Sequence, residues 1–300
     1  MRITHKISKN FLETESYQGE TALSAGFLTG NRKGDFACFF DQSSSRYQGW
    51  FVRSFGDVFK TVESISIDDG REITELKNEF WCHKRNSRKN NRIIEETFFL
   101  PENNRGLVYE LSGEETFNLF LDFRPIYSTS QENRFYNFEK YKNILLIECR
   151  NSNESIYLAI KINKSFGCFE IKKQWIKRNY SLDAKRNSPP FERDVFWAFR
   201  AKASKMAIGA GTTKKQALLE ANYIFKKTFQ LKKEKRNNIK RFINFSKSKD
   251  KEISMAYWAS QNSLRELVFE ELGQTKISAG LPWFFDFYSR DGFLSLKPFL

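Results

Sequence analysis

An α+β fold is predicted for this chain, with one large antiparallel β-sandwich followed by helices, and three observations carry that expectation. Short apolar runs rich in Phe, Ile and Tyr recur at close intervals over the first two thirds of the sequence, separated by Asn, Ser, Gly and charged turns. Near Thr212 the apolar residues change from alternation to three- and four-residue steps. The 31 Phe, 11 Tyr and 6 Trp among 300 residues supply bulky core material, and 6 Pro and 15 Gly are too few for a linker-dominated chain.

In order, residues 25–52 read as two turn-rich loops framing short strands. Gly30 and Gly34 suit tight turns, and the polar run at 43–45 leads into Arg46-Tyr47-Gln48-Gly49 before apolar residues resume. These loops read as exposed hairpins or as a binding loop. Strand-like runs then follow at 65–67, 92–100, 106–111, 117–123, 144–149, 156–162, 166–175 and 195–200, and at this spacing they predict a sandwich over residues 1–212. From 213 to 250 the pattern predicts a linker helix and a basic linker. Thr213 stands as N-cap with Gln216 completing a capping box, while the basic segment 231–240 suits either continued helix or linker. A second helix is predicted over about 251–272, with Gly273 as its stop.

The formal charge of +14 and pI near 9.5 raise the question of an acidic partner. The basic residues are scattered, and the dense groups at 84–89 and 226–236 read as solvated turns or helix faces, so a nucleic-acid partner is set aside. Cys38, Cys82, Cys149 and Cys168 are widely spaced without a C-x-x-C pair, which predicts free thiols and no metal or other cofactor. The amino terminus lacks a signal-peptide pattern and no run suffices for a membrane span, so a cytoplasmic protein without a membrane partner is expected.

The stretch 278–296 concentrates aromatic residues around the adjacent Arg290 and Asp291. Aromatic faces stack on the C–H faces of a pyranose while a guanidinium and a carboxylate hydrogen-bond its hydroxyls, so the stretch suits a sugar pocket; a buried aromatic corner held by an ion pair fits the composition as well.

Several pieces resemble the glycogen-debranching, amylo-α-1,6-glucosidase family. Gly30-Asn-x-x-Gly-Asp35 followed by Ser45-Arg-Tyr-Gln-Gly-Trp-Phe-Val52 is similar to that family's glycine loop and Thr-Arg-Arg-Tyr-His-Gly-Leu-Leu-Val signature. Tyr180-x-x-Asp183-x-x-Arg186 resembles its Tyr-x-x-Glu-x-x-Arg-Gly, and 279–291 resembles Ala-Gly-Tyr-Pro-Trp-Phe-x-x-Trp-Gly-Arg-Asp, with Tyr288 for Trp and Gly292 for Thr or Ser as departures.

The resemblance implies an antiparallel β-supersandwich followed by the first helices of a six-hairpin α/α toroid over 251–300. It also implies a part in hydrolysing α-1,6 branch linkages of a glycogen-like glucan. Arg290, Asp291 and Tyr288 would contact glucose, and Trp283, with Phe284, would mainly pack the loop while bordering the substrate. Glycoside hydrolysis needs two opposed carboxyl groups, and no catalytic residue is assigned here, because the family's acid and base lie beyond this motif. With the sequence stopping at Leu300, the expected partners are a branched α-glucan and a separate carboxy-terminal toroid chain. A glucan-binding or interaction module without chemistry is the alternative. A half-built toroid should expose a patch around Trp258, Leu264, Val268 and residues 293–299.

Overall fold

The computed structural model of the chain describes residues 2–3, 13–14, 26–40, 44–67, 72–89, 92–152, 154–243, 249–286 and 288. The first strands are β1 (Arg2–Ile3), β2 (Glu13–Thr14), β3 (Gly26–Gly30), β4 (Phe36–Phe40), β5 (Gly49–Ser54) and β6 (Asp57–Ile67). They are followed by β7 (Glu72–Glu79), β8 (Cys82–Lys89), β9 (Arg92–Phe99), β10 (Gly106–Pro125), β11 (Phe135–Tyr141), β12 (Ile144–Arg150) and β13 (Ser155–Ile162). Strand β14 (Phe169–Asn179), the short helix α1 (Ser181–Lys185) and β15 (Glu192–Gly211) complete the β region. Helices α2 (Lys214–Phe242) and α3 (Lys251–Leu267) and the hairpin of β16 (Val268–Glu271) and β17 (Gln274–Ile277) come last.

All but the last hairpin belong to one hydrogen-bonded sheet that folds over itself. The hinge is the antiparallel pair β10 and β15, each 20 residues long, whose register shifts between Glu110 and Glu115 and between Leu119 and Phe120. Such irregularities bend a strand and let it pass from one layer to the next. The first part of β10 pairs with β9 and the last part with β6. Likewise β15 gives its last part to β13 and its first to β14. One layer therefore runs β7-β8-β9-β10-β15-β13-β12-β11 and the other β3-β4-β5-β6-β10-β15-β14. Their inner faces share one apolar core, with Phe39, Trp50, Phe59 and Phe123 meeting Phe98, Tyr109, Ile147 and Leu158. The antiparallel β-sandwich expected from period-two alternation is what forms.

Helix α2 lies on the outer face of the first layer, contacting β15, β13 and β10. Thr213 caps it by accepting the Gln216 amide at 3.2 Å, and the Gln216 side chain reaches back to the Thr212 amide, one residue earlier than a capping box requires. The basic segment 231–240 is continuous helix, because Leu231, Lys235 and Ile239 recur at four-residue steps on its buried side.

The helix and sheet approach closely at Gly209, where a Cβ would stand 2.3 Å from the Ala221 nitrogen and 2.7 Å from the Ala217 oxygen. Both are helical backbone and cannot rotate away. Gly209→Ala is therefore expected to cost about 1–3 kcal/mol by overpacking, read as a fall in the denaturation midpoint; an unchanged midpoint would mean that α2 lifts freely.

The helix predicted to run to Leu272 ends at Leu267. Val268 and Phe269 suit a strand, and Leu272-Gly273, both at positive φ, close a two-residue hairpin turn in which Leu272 is 95% exposed. The expected exposed patch is corrected in the same region. Val268 is buried and Trp258 and Leu264 are half-buried, with Trp258 packed against the cluster that joins α2 to the sheet, while residues 293–299 lie outside the described set. The described residues beyond 250 form one helix and one hairpin and do not themselves make a toroid.

Candidate functional site

The resembling segments, distant in sequence, converge at one corner of the second layer. Its floor is the turn between β3 and β4. Asn31 accepts the amides of Lys33 at 2.9 Å and Asp35 at 3.0 Å through its side-chain oxygen, and Gly34 takes the positive φ that closes the turn. Asp35 is buried and accepts the Arg53 amide at 3.0 Å and the Asn31 side chain at 3.4 Å. Burial pushes its carboxyl up to about 6, against the opposing effect of Arg105.

Arg53, at the end of β5, carries the next layer. Its guanidinium donates to the Phe285 carbonyl at 2.8 Å, lies 4.2 Å from the Phe269 ring centre and stands 3.7 Å from the Glu271 carboxylate. Burial lowers the pKa of Arg53 while Glu271, Asp286 and Asp35 oppose that shift. It thereby fixes the carboxy-terminal aromatic loop.

That loop closes on itself. Ser278 Oγ donates to the Phe285 carbonyl at 3.0 Å, the Ala279 amide to Asp286 O at 3.1 Å, and the Gly280 amide to Phe284 O at 2.8 Å, with a cis bond at Leu281–Pro282. Phe285 is its anchor, buried with Phe36, Tyr47, Phe51, Val58 and Ile126. Trp283 and Phe284, expected mainly to pack the loop, instead project from it, 37% and 58% exposed. Closing the loop through residues 280, 284 and 285 turns these two side chains outward.

The β domain supplies the receiving wall. Tyr127 donates its hydroxyl to Trp283 O at 2.6 Å and packs its ring 4.9 Å from that of Phe285. Burial, then Asp286, Tyr288 and Tyr47, push this phenol up to about 12. The Arg186 guanidinium covers the Trp283 ring at 4.7 Å. Asp183, three residues earlier, accepts Ser45 Oγ at 2.9 Å and the Arg46 amide at 2.7 Å, so the segments 45–52 and 180–186 are locked together. Tyr288 is exposed and stands within electrostatic reach of Tyr127, whose ionisation it disfavours, at the same corner. Arg290 and Asp291 lie outside the described residues.

Beneath this wall lies a buried polar network that sequence reading did not identify. Asp122 receives Arg134 at 2.7 Å and Arg124 at 2.9 Å, with Arg193 at 3.4 Å and Lys60 at 3.8 Å. Glu63 accepts Lys60, the Gln48 side-chain Nε2 at 2.7 Å and the Tyr180 hydroxyl at 3.2 Å. The cations then grip backbone carbonyls. Lys60 and Arg124 hold that of Arg46 at 3.0 and 2.9 Å, and Arg193 holds those of Thr129 and Ser130 at 3.0 and 2.9 Å. The loop that presents Tyr127 is thus clamped from below. One signal was available: charges at 60, 63, 122 and 124 interrupt strongly apolar strands.

The corner offers exposed aromatic surface, guanidinium groups and the half-buried Asp286, an arrangement suited to holding a polyhydroxylated ring. It does not present an opposed acid and base among the described residues: Glu271 and Asp286 both lie near Arg53, and Asp35 is sealed beneath it. The described residues contain no cluster of three or more potential metal ligands. All four cysteines are free, and burial pushes the Cys38 thiol up to about 12. No helix among the described residues is long and apolar enough to cross a membrane.

No protein-family profile matches the chain, and no curated protein matches it. Among solved structures, a bacterial glucoamylase in complex with acarbose shares 10% identity at a TM-score of 0.40, over 89% of this chain and 43% of that one. A protein designated a kojibiose phosphorylase from the human microbiome shares 11% at a TM-score of 0.48, over 88% and 43%. The chain spans less than half the length of either structure.

Proposed function

We propose that this chain forms one wall of a glucan-binding site in an enzyme of the amylo-α-1,6-glucosidase type, acting on the branch linkages of a glycogen-like α-glucan. The observation that carries the proposal is the loop closed between Ser278 and Asp286, which holds Trp283 and Phe284 outward beside Tyr127, Arg186 and Tyr288. In this reading the aromatic faces stack on glucose rings, Asp286 accepts hydrogen bonds from sugar hydroxyls, and Arg290 and Asp291 are further glucose ligands. The acid and base that cleave the bond belong to a carboxy-terminal toroid, carried on this polypeptide or on another.

Affinity electrophoresis through a glycogen-containing gel tests the wall. The chain should be retarded, and Trp283→Ala/Phe284→Ala should weaken binding about tenfold, the effect of two exposed stacking rings worth about 0.5–1.5 kcal/mol each. Both side chains are exposed, so the variant should keep the parent's unfolding midpoint; equal retardation of variant and parent would overturn the proposal.

The reading as a binding module without chemistry is favoured by one observation, the crowding of Asp286 and Glu271 around a single arginine rather than across a cleft. Incubation with a branched limit dextrin bears on it. The chain of residues 1–300 should release no glucose, and release would place the acid and base here.

A further inference from the structure

We propose that the outward face of α2 is an adsorption surface for an anionic lipid bilayer, an inference independent of the glucan site. Leu219, Tyr223, Lys226, Lys233 and Lys240 are all exposed and follow the four-and-three spacing that makes one straight stripe along a helix. Phe229, 80% exposed, flanks it, and Leu219 is 61% exposed. The sequence of α2 contains ten Lys or Arg, at 214, 215, 226, 227, 232, 233, 235, 236, 240 and 241, against Glu220 and Glu234 alone.

A merely solvated helix face mixes signs and pairs them at three- and four-residue steps. Here Lys215, Lys226, Lys227, Lys233 and Arg241 make no ion pair among the described residues. The positive charge is felt beneath the helix as well. Lys161 is held below the ordinary lysine range first by burial and then by Lys226.

The shape of the partner follows from how α2 is held. Its inner side is fixed to the sheet along Ala217, Ala221, Ile224 and Leu231, so only its outward face is open to a partner. What it presents is a straight rod about 43 Å long, from 29 residues at 1.5 Å each. A plane meets the exposed cations of the stripe, Lys226, Lys233 and Lys240, at once. The aliphatic and aromatic tips add what a phosphate backbone does not use and a bilayer interface does, namely apolar groups that enter the headgroup region. That no helix among the described residues is long and apolar enough to cross a membrane bears on crossing, and adsorption needs none.

Co-sedimentation of the full chain with vesicles tests the surface. One set is neutral phosphatidylcholine and the other contains about a third phosphatidylserine, at about 0.1 M and 0.5 M salt. The chain should sediment with the anionic vesicles only, and less at high salt. Lys226→Gln/Lys233→Gln should weaken binding about 25-fold, at about fivefold per cation, and Phe229→Ser should weaken it at both salt concentrations. All three positions are exposed, so the variants should unfold like the parent. Equal sedimentation with neutral vesicles, no sedimentation, or an undiminished double variant would overturn the proposal. Displacement from vesicles by duplex DNA through these same lysines would overturn it in favour of a nucleic-acid face.

Discussion

Replacing Asp122 by Ala should cost about 3–5 kcal/mol of stability, the range for removing one partner of a buried charge set. Its carboxylate touches Arg124 and Arg134 at 2.9 and 2.7 Å and stands near Arg193 and Lys60, and all five side chains are at most 3% exposed. Burial alone would raise the Asp122 pKa, but Arg124, Lys60, Arg193 and Arg134 outweigh it and hold the carboxyl well below the usual carboxylate range. The folded-state pKa is depressed, so the stability this group contributes is present above the unfolded value near 3.8 and is lost as pH falls below it. In Asp122→Ala, Lys60 keeps Glu63 as an ion-pair partner, while Arg124, Arg134 and Arg193 lose the buried carboxylate they share. Denaturant unfolding at pH 7 would measure the loss, and a difference below about 0.5 kcal/mol would refute the account. Because Arg193 and Arg124 also clamp the loop bearing Tyr127, a folded Asp122→Asn variant should hold the Trp283 loop less firmly and bind glucan more weakly.

That network shows why the fold was legible in the sequence and much of the site was not. Alternation in β10 places Leu121 and Phe123 in the core, and the structure puts them there. The same alternation assigns Asp122 and Arg124 to the opposite face, which sequence alone reads as solvent. They are nevertheless buried, because the segment holding Arg46 folds over that face and supplies a carbonyl to Arg124, while Tyr180 closes over it and donates to Glu63 of β6. Burial by covering loops leaves no periodic trace. The helix cap at Thr213 was readable because it depends on neighbours in sequence. The hairpin after Leu267 was missed because Val268, Leu272 and their neighbours also satisfy helical spacing, and only the turn at Leu272-Gly273 separates the two readings. Trp283 and Phe284 were expected to pack because aromatic residues usually do; their neighbour Phe285 fills the available pocket, and a strand-like closure sends the other two outward.

Asp35→Asn should stabilise the protein at neutral pH and remove one component of its pH dependence. The folded-state pKa of Asp35 is raised from 3.8 to about 6, with burial as the main cause. A carboxyl with a raised pKa binds its proton more tightly in the folded state, so its contribution is most favourable below the unfolded value and declines as pH rises through about 6. The shift of about two pKa units caps the effect at about 3 kcal/mol between pH 4 and pH 7. Asparagine keeps an oxygen to accept the Arg53 amide and carries no charge to desolvate. The variant should thus exceed the parent by about 1–3 kcal/mol at pH 7.5, and the advantage should shrink as pH falls toward 4.5. Comparing the two proteins at each pH cancels the acid titration of Asp122, which both share. A variant-minus-parent difference that stays constant across this range would mean that Asp35 is not the titrating group. If glucan retardation in the variant matches the parent at neutral pH, the Arg53 backbone is held by the acceptor oxygen alone; if it falls, the Asp35 charge is needed to steady the guanidinium that grips Phe285.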